Sequence, residues 1–237
     1  MTTLDSKLGP SDVEFVEQLQ RDADLAFRSF VEAGTLSASH TFFAVERAPG
    51  GNLAVVAFPE LVAHDQTVKV TLVSPEGEAL LGSTRVGLAA SFGPLFDEFP
   101  NVTSIAHVHG DYLGAWAQSH RDLPIRYAPV QRQTLSKAIP NYIDRRASQT
   151  EFILDRLRED PHVTAILEAN GGATVWGERG FLALAQFIVL VEEGAKFQLL
   201  AESLGGAQDY GPGVLEQQWR VNGLTEKAAA LGLLASN

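Results

Sequence analysis

The stretch Thr103–Ser119 reads Thr-Ser-Ile-Ala-His-Val-His-Gly-Asp-Tyr-Leu-Gly-Ala-Trp-Ala-Gln-Ser, and it decides the fold. Residues 104–109 predict a strand, and side chains alternate along a strand, so His107 and His109 point to the same face. The glycine that follows lets the backbone turn, and residues 112–118 predict the start of a helix. Two imidazoles on one face at a strand end indicate a divalent metal site. The alternative is a pair of polar residues on an edge strand, one of them bonded to the backbone.

Composition narrows the classes of protein. The chain has 237 residues, of which 45% are apolar and 20% charged, and its net charge is −11. This acidic balance argues against nucleic acid or an anionic membrane as a partner, because no basic face is available. Cysteine is absent, which excludes disulfides and thiolate metal sites. The N-terminus lacks a signal-peptide pattern and no apolar run reaches about 20 residues, so we expect a cytoplasmic protein.

Hydrophobic periodicity and turn residues predict a mixture of helices and strands. Predicted helices cover 11–34, 89–99, 112–118, 149–158, 181–204, 214–222 and 225–233, and predicted strands cover 40–47, 53–58, 67–73, 78–81, 104–109, 163–167 and 173–176. Ser11 and Glu14 form a capping-box pattern, and Gly34 stands where a C-cap glycine would end the first helix. Residues 123–141 contain prolines without a clear period and predict a loop. The order predicts one α/β (α+β) domain over 1–237, with a mostly antiparallel or mixed sheet flanked by helices.

Four segments carry a resemblance to a known family. They are Val102–His109, Ala115–Gln118, Leu167–Gly177 and Val191–Ala201. From about residue 12 to 206 the chain resembles the class II aldolase/adducin superfamily, which includes fuculose-phosphate aldolase and ribulose-phosphate 4-epimerase. The resemblance implies a three-layer fold with a nine-stranded sheet, a homotetramer with sites between subunits, and a divalent ion held by three histidines.

The metal ligands implied by this resemblance are incomplete. His107 and His109 match the first two ligands, but the third position falls at Gly171, which has no side chain. Asp111 is the best substitute, and with the two imidazoles it would form a set suited to Fe(II) or Zn²⁺. Asp111 could instead be an N-cap of the following helix. Glu168 is a further candidate ligand, with an exposed or ion-paired residue as the alternative.

The catalytic acid and the phosphate loops of the family are also missing. The position of the acid falls at Leu88, with Arg85 nearby and no Asp, Glu or His between residues 78 and 97. The phosphate loops correspond to residues 40–43 and 59–61, where Phe and Glu cannot hold a phosphate dianion. We therefore expect a non-phosphorylated substrate.

Other candidate site residues depend on weaker arguments. His40 and Phe43 could line the substrate pocket, or be a satisfied loop histidine and a core phenylalanine. Trp176 belongs to the fold pattern and could bind substrate, although packing is its commoner role. Tyr142 is a candidate proton donor without a spacing argument. Four arginines near the Pro-containing segment could reach a carboxylate across a subunit contact, or form a solvated face: Arg126, Arg132, Arg145 and Arg146.

Three functions are open on these residues. The first is a metal-dependent lyase of aldolase type that acts on a hydroxy- or keto-acid, aromatic acids of secondary metabolism included. The second is an Fe(II)-dependent oxygenase or oxidative decarboxylase, similar to the aldolase-like non-haem iron enzymes of aminocoumarin biosynthesis. The third is a non-catalytic member, or one that works without a metal. The expected partners are a small-molecule substrate and further copies of this chain.

Overall fold

The computed structural model describes residues 8–210 and 213–234. Its strands are β1 (Phe42–Arg47), β2 (Leu53–Ala57), β3 (Lys69–Val73), β4 (Ala79–Leu81), β5 (Ser104–Val108), β6 (Leu123–Pro124), β7 (Ala138–Ile139), β8 (Asn141–Tyr142), β9 (Ala165–Glu168) and β10 (Ala173–Gly177). Its helices are α1 (Pro10–Ala33), α2 (Gly87–Glu98), α3 (Asp111–Ser119), α4 (Ala128–Gln131), α5 (Gln149–Glu159), α6 (Phe181–Glu202), α7 (Val214–Val221) and α8 (Thr225–Ala230). None of the helices in these residues combines the length and the apolar character needed to span a membrane.

The central sheet is mixed, as the sequence predicts. Its eight strands lie in the order β4-β3-β2-β1-β5-β10-β9-β8, whereas the resemblance implies nine strands. All neighbouring strands are antiparallel except β8 and β9, which are parallel. The strand that carries the imidazole pair, β5, is therefore central, between β1 and β10.

Helices cover both faces of this sheet, because both faces are apolar. On one face α1, α3 and α6 pack over a core that contains Phe42, Ala106 and Val175. On the other face α2 and α5 cover a second core, in which Ile105 and Trp176 are buried. Each central strand contributes alternate side chains to the two cores, which gives the three-layer arrangement.

Three local predictions are wrong. The segment 123–141 is not a plain loop, because β6 pairs with β7 and α4 lies between them. Helix α1 begins after Gly9, without the side-chain cap predicted at Ser11, although Gly34 ends the helix in the left-handed conformation as predicted. A proline is tolerated in a helix only near its first turn, and on that rule we expect Pro94 near the start of the predicted helix 89–99, but it lies well inside α2.

Candidate active site

The candidate site begins with a row of side chains across three neighbouring strands. In the register of the sheet, His107 on β5 lies between Phe43 on β1 and Thr174 on β10. The Phe43 ring stacks on the His107 ring, with centroids 5.0 Å apart. The His109 ring lies edge-on to His107, with centroids 4.9 Å apart, so the two imidazoles face the same side as predicted.

A buried carboxylate orients His107. Glu168 at the end of β9 is only 3% exposed, and its Oε1 lies 2.8 Å from Nδ1 of His107. Thr174 donates its hydroxyl to the same oxygen at 2.6 Å, and the Gln149 side-chain amide donates to it at 2.7 Å. Arg145 approaches the other oxygen, with Nη2 3.5 Å from Oε2. Glu168 is therefore ion-paired, which was the alternative interpretation of this residue.

The charges of this group follow from its contacts. Burial raises the pKa of Glu168, but His107, Thr174 and Arg145 outweigh burial and hold this pKa below its usual range. The carboxylate is then ionised at neutral pH, so Nδ1 of His107 donates the hydrogen bond, and in the neutral ring Nε2 carries the lone pair. Burial, followed by the neighbouring His107, lowers the pKa of His109. His109 is accordingly neutral at pH 7, and its ring forms no hydrogen bond within residues 8–210 and 213–234.

A second buried carboxylate fixes the turn after His109. Glu192 on α6 accepts the backbone N–H groups of Tyr112 at 2.8 Å and Leu113 at 2.9 Å, at the start of α3. The N-cap position is Gly110, where any Cβ atom would collide with the Glu192 carboxylate. Glu192 thus caps the N-terminus of α3, a role that the sequence analysis gave to Asp111 as one alternative. Asp111 itself is exposed in the first turn of α3.

The side chains do not assemble the predicted metal site. Within the described residues, no group of three or more His, Asp or Glu side chains is arranged to hold a metal ion. Glu168 is occupied by its contacts with His107, Thr174, Gln149 and Arg145, and two imidazoles alone are fewer than protein sites usually supply.

A guanidinium also lies where a third ligand would. A Cβ atom built on Gly171 would lie 3.6 Å from Nη1 of Arg145, so this positive charge stands beside the matching position. These residues therefore do not fit a divalent ion held by protein ligands, and the ligand roles of His107, His109, Asp111 and Glu168 stay predictions.

The remaining candidates lie in different surroundings. Tyr142 is buried, its hydroxyl donates to the carbonyl oxygen of Ala147, and burial raises its pKa. His40 is half-buried, with φ of 49°, and its ring lies edge-on to Phe27. Trp176 lies on the same face of β10 as Thr174 but is buried in the second core. The roles of Tyr142, His40 and Trp176 stay predictions, and the Phe43 ring is the substrate-binding candidate that stacks on His107.

Sequence reasoning missed Thr174, Gln149 and Glu192. Thr174 is a polar residue in an otherwise apolar strand, a signal that points to a buried polar contact. Gln149 and Glu192 leave no such signal, because both stand on helices and reach the site through tertiary packing.

Comparison with known proteins supplies the family. The model of the "Class II Aldolase and Adducin N-terminal domain" matches residues 56–199, which is more than half of the chain. This chain belongs to that family. The matched region contains β5, α3, β9 and β10. It therefore includes His107, Glu168 and the residues that contact the Glu168 carboxylate. A search of curated protein sequences finds no match.

Solved structures of family members share the fold. YgbL from Escherichia coli is 19% identical, with a TM-score of 0.67 over 86% of this chain and 98% of that protein. An L-fuculose 1-phosphate aldolase is 15% identical, with a TM-score of 0.68 over 92% of this chain and 99% of the aldolase. An aldolase II superfamily protein from Pseudomonas syringae is 16% identical, with a TM-score of 0.62 over 95% and 93%. At these identities the likeness concerns the fold alone.

Proposed function

We propose that the chain is a lyase of aldolase type that acts on a small, non-phosphorylated hydroxy- or keto-acid through acid–base chemistry. The observation that carries the proposal is the 2.8 Å contact between Nδ1 of His107 and Oε1 of Glu168, which leaves Nε2 as a free base. A carboxylate that holds one imidazole nitrogen fixes the tautomer and orients the other nitrogen toward a substrate.

The chemistry follows from the orientation of His107. In the cleavage direction, Nε2 takes the proton of the substrate's β-hydroxyl group, the hydroxyl oxygen forms the C=O bond of an aldehyde or ketone product, and the C–C bond breaks. The electron pair of that bond passes into the enolate of the keto-acid product, and the protonated His107 then returns its proton to the enolate carbon. His109, neutral at pH 7, offers an N–H to a substrate oxygen.

The lack of phosphate loops supports a non-phosphorylated substrate. Phe42 is buried and stacks on Phe58 with ring centroids 4.0 Å apart, so the first corresponding segment packs into the core. Phe43 covers the His107 ring. Neither side chain has a hydrogen-bond donor for a phosphate oxygen.

An oxygenase and a non-catalytic protein have less support. An Fe(II) oxygenase needs a carboxylate ligand beside the two imidazoles, but Glu168 is occupied by His107 and Arg145, and Asp111 is exposed. A carboxylate that orients an imidazole is typical of acid–base sites, so it favours a catalytic protein over a non-catalytic member. We also propose, from the family expectation and the sequence, a single domain over 1–237, a cytoplasmic location and a homotetramer.

Exchange of carbon-bound protons tests the proposal without a full substrate. Pyruvate in D₂O should exchange its methyl protons when the protein is added, because formation of the enolate is one half of the aldol reaction. We expect His107→Asn to slow this exchange about 10²- to 10⁴-fold, the usual contribution of a general base. His64→Asn, at an exposed loop position, is the matched control and should leave the rate unchanged. Exchange that is unaffected by His107→Asn, or absent for pyruvate and every other keto-acid tested, would contradict the proposal.

A further inference from the structure

Arg145 occupies the space beside Gly171. Its Nη1 donates to the carbonyl oxygen of Ala169 at 3.3 Å, and its Nη2 lies 3.5 Å from Glu168. A Cβ atom built on Gly171 would lie 3.2 Å from the carbonyl oxygen of Glu168 and 3.6 Å from Nη1 of Arg145. The Arg145 side chain is 53% exposed, so it reaches both the buried carboxylate and the solvent.

Two guanidiniums lie near the imidazole pair. Glu168 contributes one negative charge, and Arg145 balances it. The guanidinium of Arg85 lies 5.2 Å from the centre of the Phe43 ring, which itself stacks on His107. Arg145 thus lies beside the buried carboxylate, and Arg85 lies beside the ring that covers His107.

The acidic neighbour of Arg145 in the chain does not neutralise it. Asp144 forms a two-point contact with Arg146, with oxygen–nitrogen distances of 2.8 and 2.7 Å. Arg145 has five N–H donors and uses two of them on Ala169 and Glu168, both at long distances. The remaining donors form no hydrogen bond among the described residues, which leaves them available to an anion.

We propose that Arg145 binds the carboxylate of the substrate. Its positive charge then replaces the charge of a metal ion that a third protein ligand would help to hold. The inference deepens the function proposed above and depends on it for the identity of the acid. A planar guanidinium matches the two oxygens of a carboxylate. The same charge lies close to the enolate that forms when the C–C bond breaks, and stabilises it. Substrate binding at this site is therefore independent of divalent ions.

Binding of oxalate tests the anion site apart from turnover. Oxalate is a planar dianion that resembles the enolate of a keto-acid, and its affinity can be measured by calorimetry on the full chain after treatment with EDTA and dialysis. We expect affinity to stay within about twofold of the untreated protein. Arg145→Gln should weaken binding about 10- to 100-fold, and Arg145→Lys should weaken it less, because the charge remains without the planar fork. Arg28→Gln, at an exposed position on α1, is the control and should bind as the unmodified chain does.

Three results would overturn the inference: loss of oxalate binding after EDTA, equal binding by Arg145→Gln, or no binding by the unmodified chain. Proton exchange separates this failure from failure of the proposed function. Arg145-dependent binding without proton exchange refutes the lyase and leaves the anion site standing. Proton exchange that depends on His107 but not on Arg145 supports the lyase and refutes the anion site.

A designed return of the third imidazole tests the position of Arg145. Gly171→His in an Arg145→Ala background places a third histidine beside His107 and His109 in the space the guanidinium leaves. We expect this double variant to bind Zn²⁺ at least about tenfold more tightly than Arg145→Ala alone in equilibrium dialysis. Circular dichroism must show an unchanged fold in both. Equal zinc binding by the two folded variants would contradict the assigned position.

Discussion

Glu46 provides a stability prediction that depends on a single buried carboxyl group. Its side chain lies on β1 near the first turn of α6 and is 7% exposed. Oε2 is buried without a hydrogen-bond partner among the described residues. Burial raises the pKa of Glu46 from 4.5 to about 8, although the backbone of Phe181 and the hydroxyl of Ser104 lower it in part.

The direction of the pH effect follows from this raised pKa. Between pH 4.5 and about 8 the unfolded chain ionises Glu46 while the folded chain keeps it protonated. The unfolding free energy therefore falls as pH rises through this interval. Above it, the folded chain has fully lost the stability that protonated Glu46 provides. The difference between the two pKa values corresponds to at most about 5 kcal/mol, and local relaxation reduces it, so we expect about 2 to 5 kcal/mol.

Glu46→Gln removes the ionisation and should change how stability depends on pH. Urea unfolding, followed by tryptophan fluorescence, gives the unfolding free energy of both chains at about pH 5 and about pH 9. The variant should gain about 2 to 4 kcal/mol relative to the unmodified chain between these two conditions. Comparing the two chains at each pH cancels the pH effects of the ionisable groups that both chains share. Glu60→Gln, at an exposed position, should change the free energy by less than about 0.5 kcal/mol at either pH. A Glu46→Gln effect that is the same at both pH values would refute the reasoning.

Three further substitutions and one control test the framework of the site. Glu192→Ala removes the acceptor of two backbone N–H groups at the start of α3 and should cost about 2 kcal/mol in urea unfolding; no loss would contradict the capping role. Gly172→Ala brings a Cβ atom onto a backbone carbonyl oxygen of β5 and should cost about 3 kcal/mol or more, whereas Gly87→Ala, in open space at the start of α2, should stabilise by about 0.5 kcal/mol. Glu168→Gln retains the shape but loses the charge that orients His107, and should slow pyruvate proton exchange at least about 10²-fold, with an unchanged rate as the contrary result.

The parts of the site that the sequence predicts are those set by local geometry. Alternation along a strand places His107 and His109 on one face, and the stacked and edge-on rings confirm it. The mixed sheet with helices on both faces also follows from the order of the elements. The ion pair of Glu168 could be named only as an alternative, because the direction of its side chain depends on where β9 ends.

The parts that the sequence does not predict depend on contacts between distant segments. The cap of α3 is Glu192 and not the predicted Asp111. Glu192 accepts the N–H of Tyr112 although the two residues are 80 positions apart in the chain. Arg145 stands beside Gly171 because β8 and β9 run parallel, a pairing that no local pattern indicates. Local rules of capping describe one helix at a time, whereas the carboxylate on α6 serves the helix packed against it.

The central claim is that Glu168 holds Nδ1 of His107 and leaves Nε2 as the free base. Long-range nitrogen–proton NMR of the ¹⁵N-labelled chain, at a pH where His107 is neutral, reports which nitrogen carries the proton. The account predicts the Nδ1–H tautomer for His107 in the unmodified chain, and loss of that preference in Glu168→Gln. A proton on Nε2 of His107, or a tautomer that Glu168→Gln leaves unchanged, would contradict it.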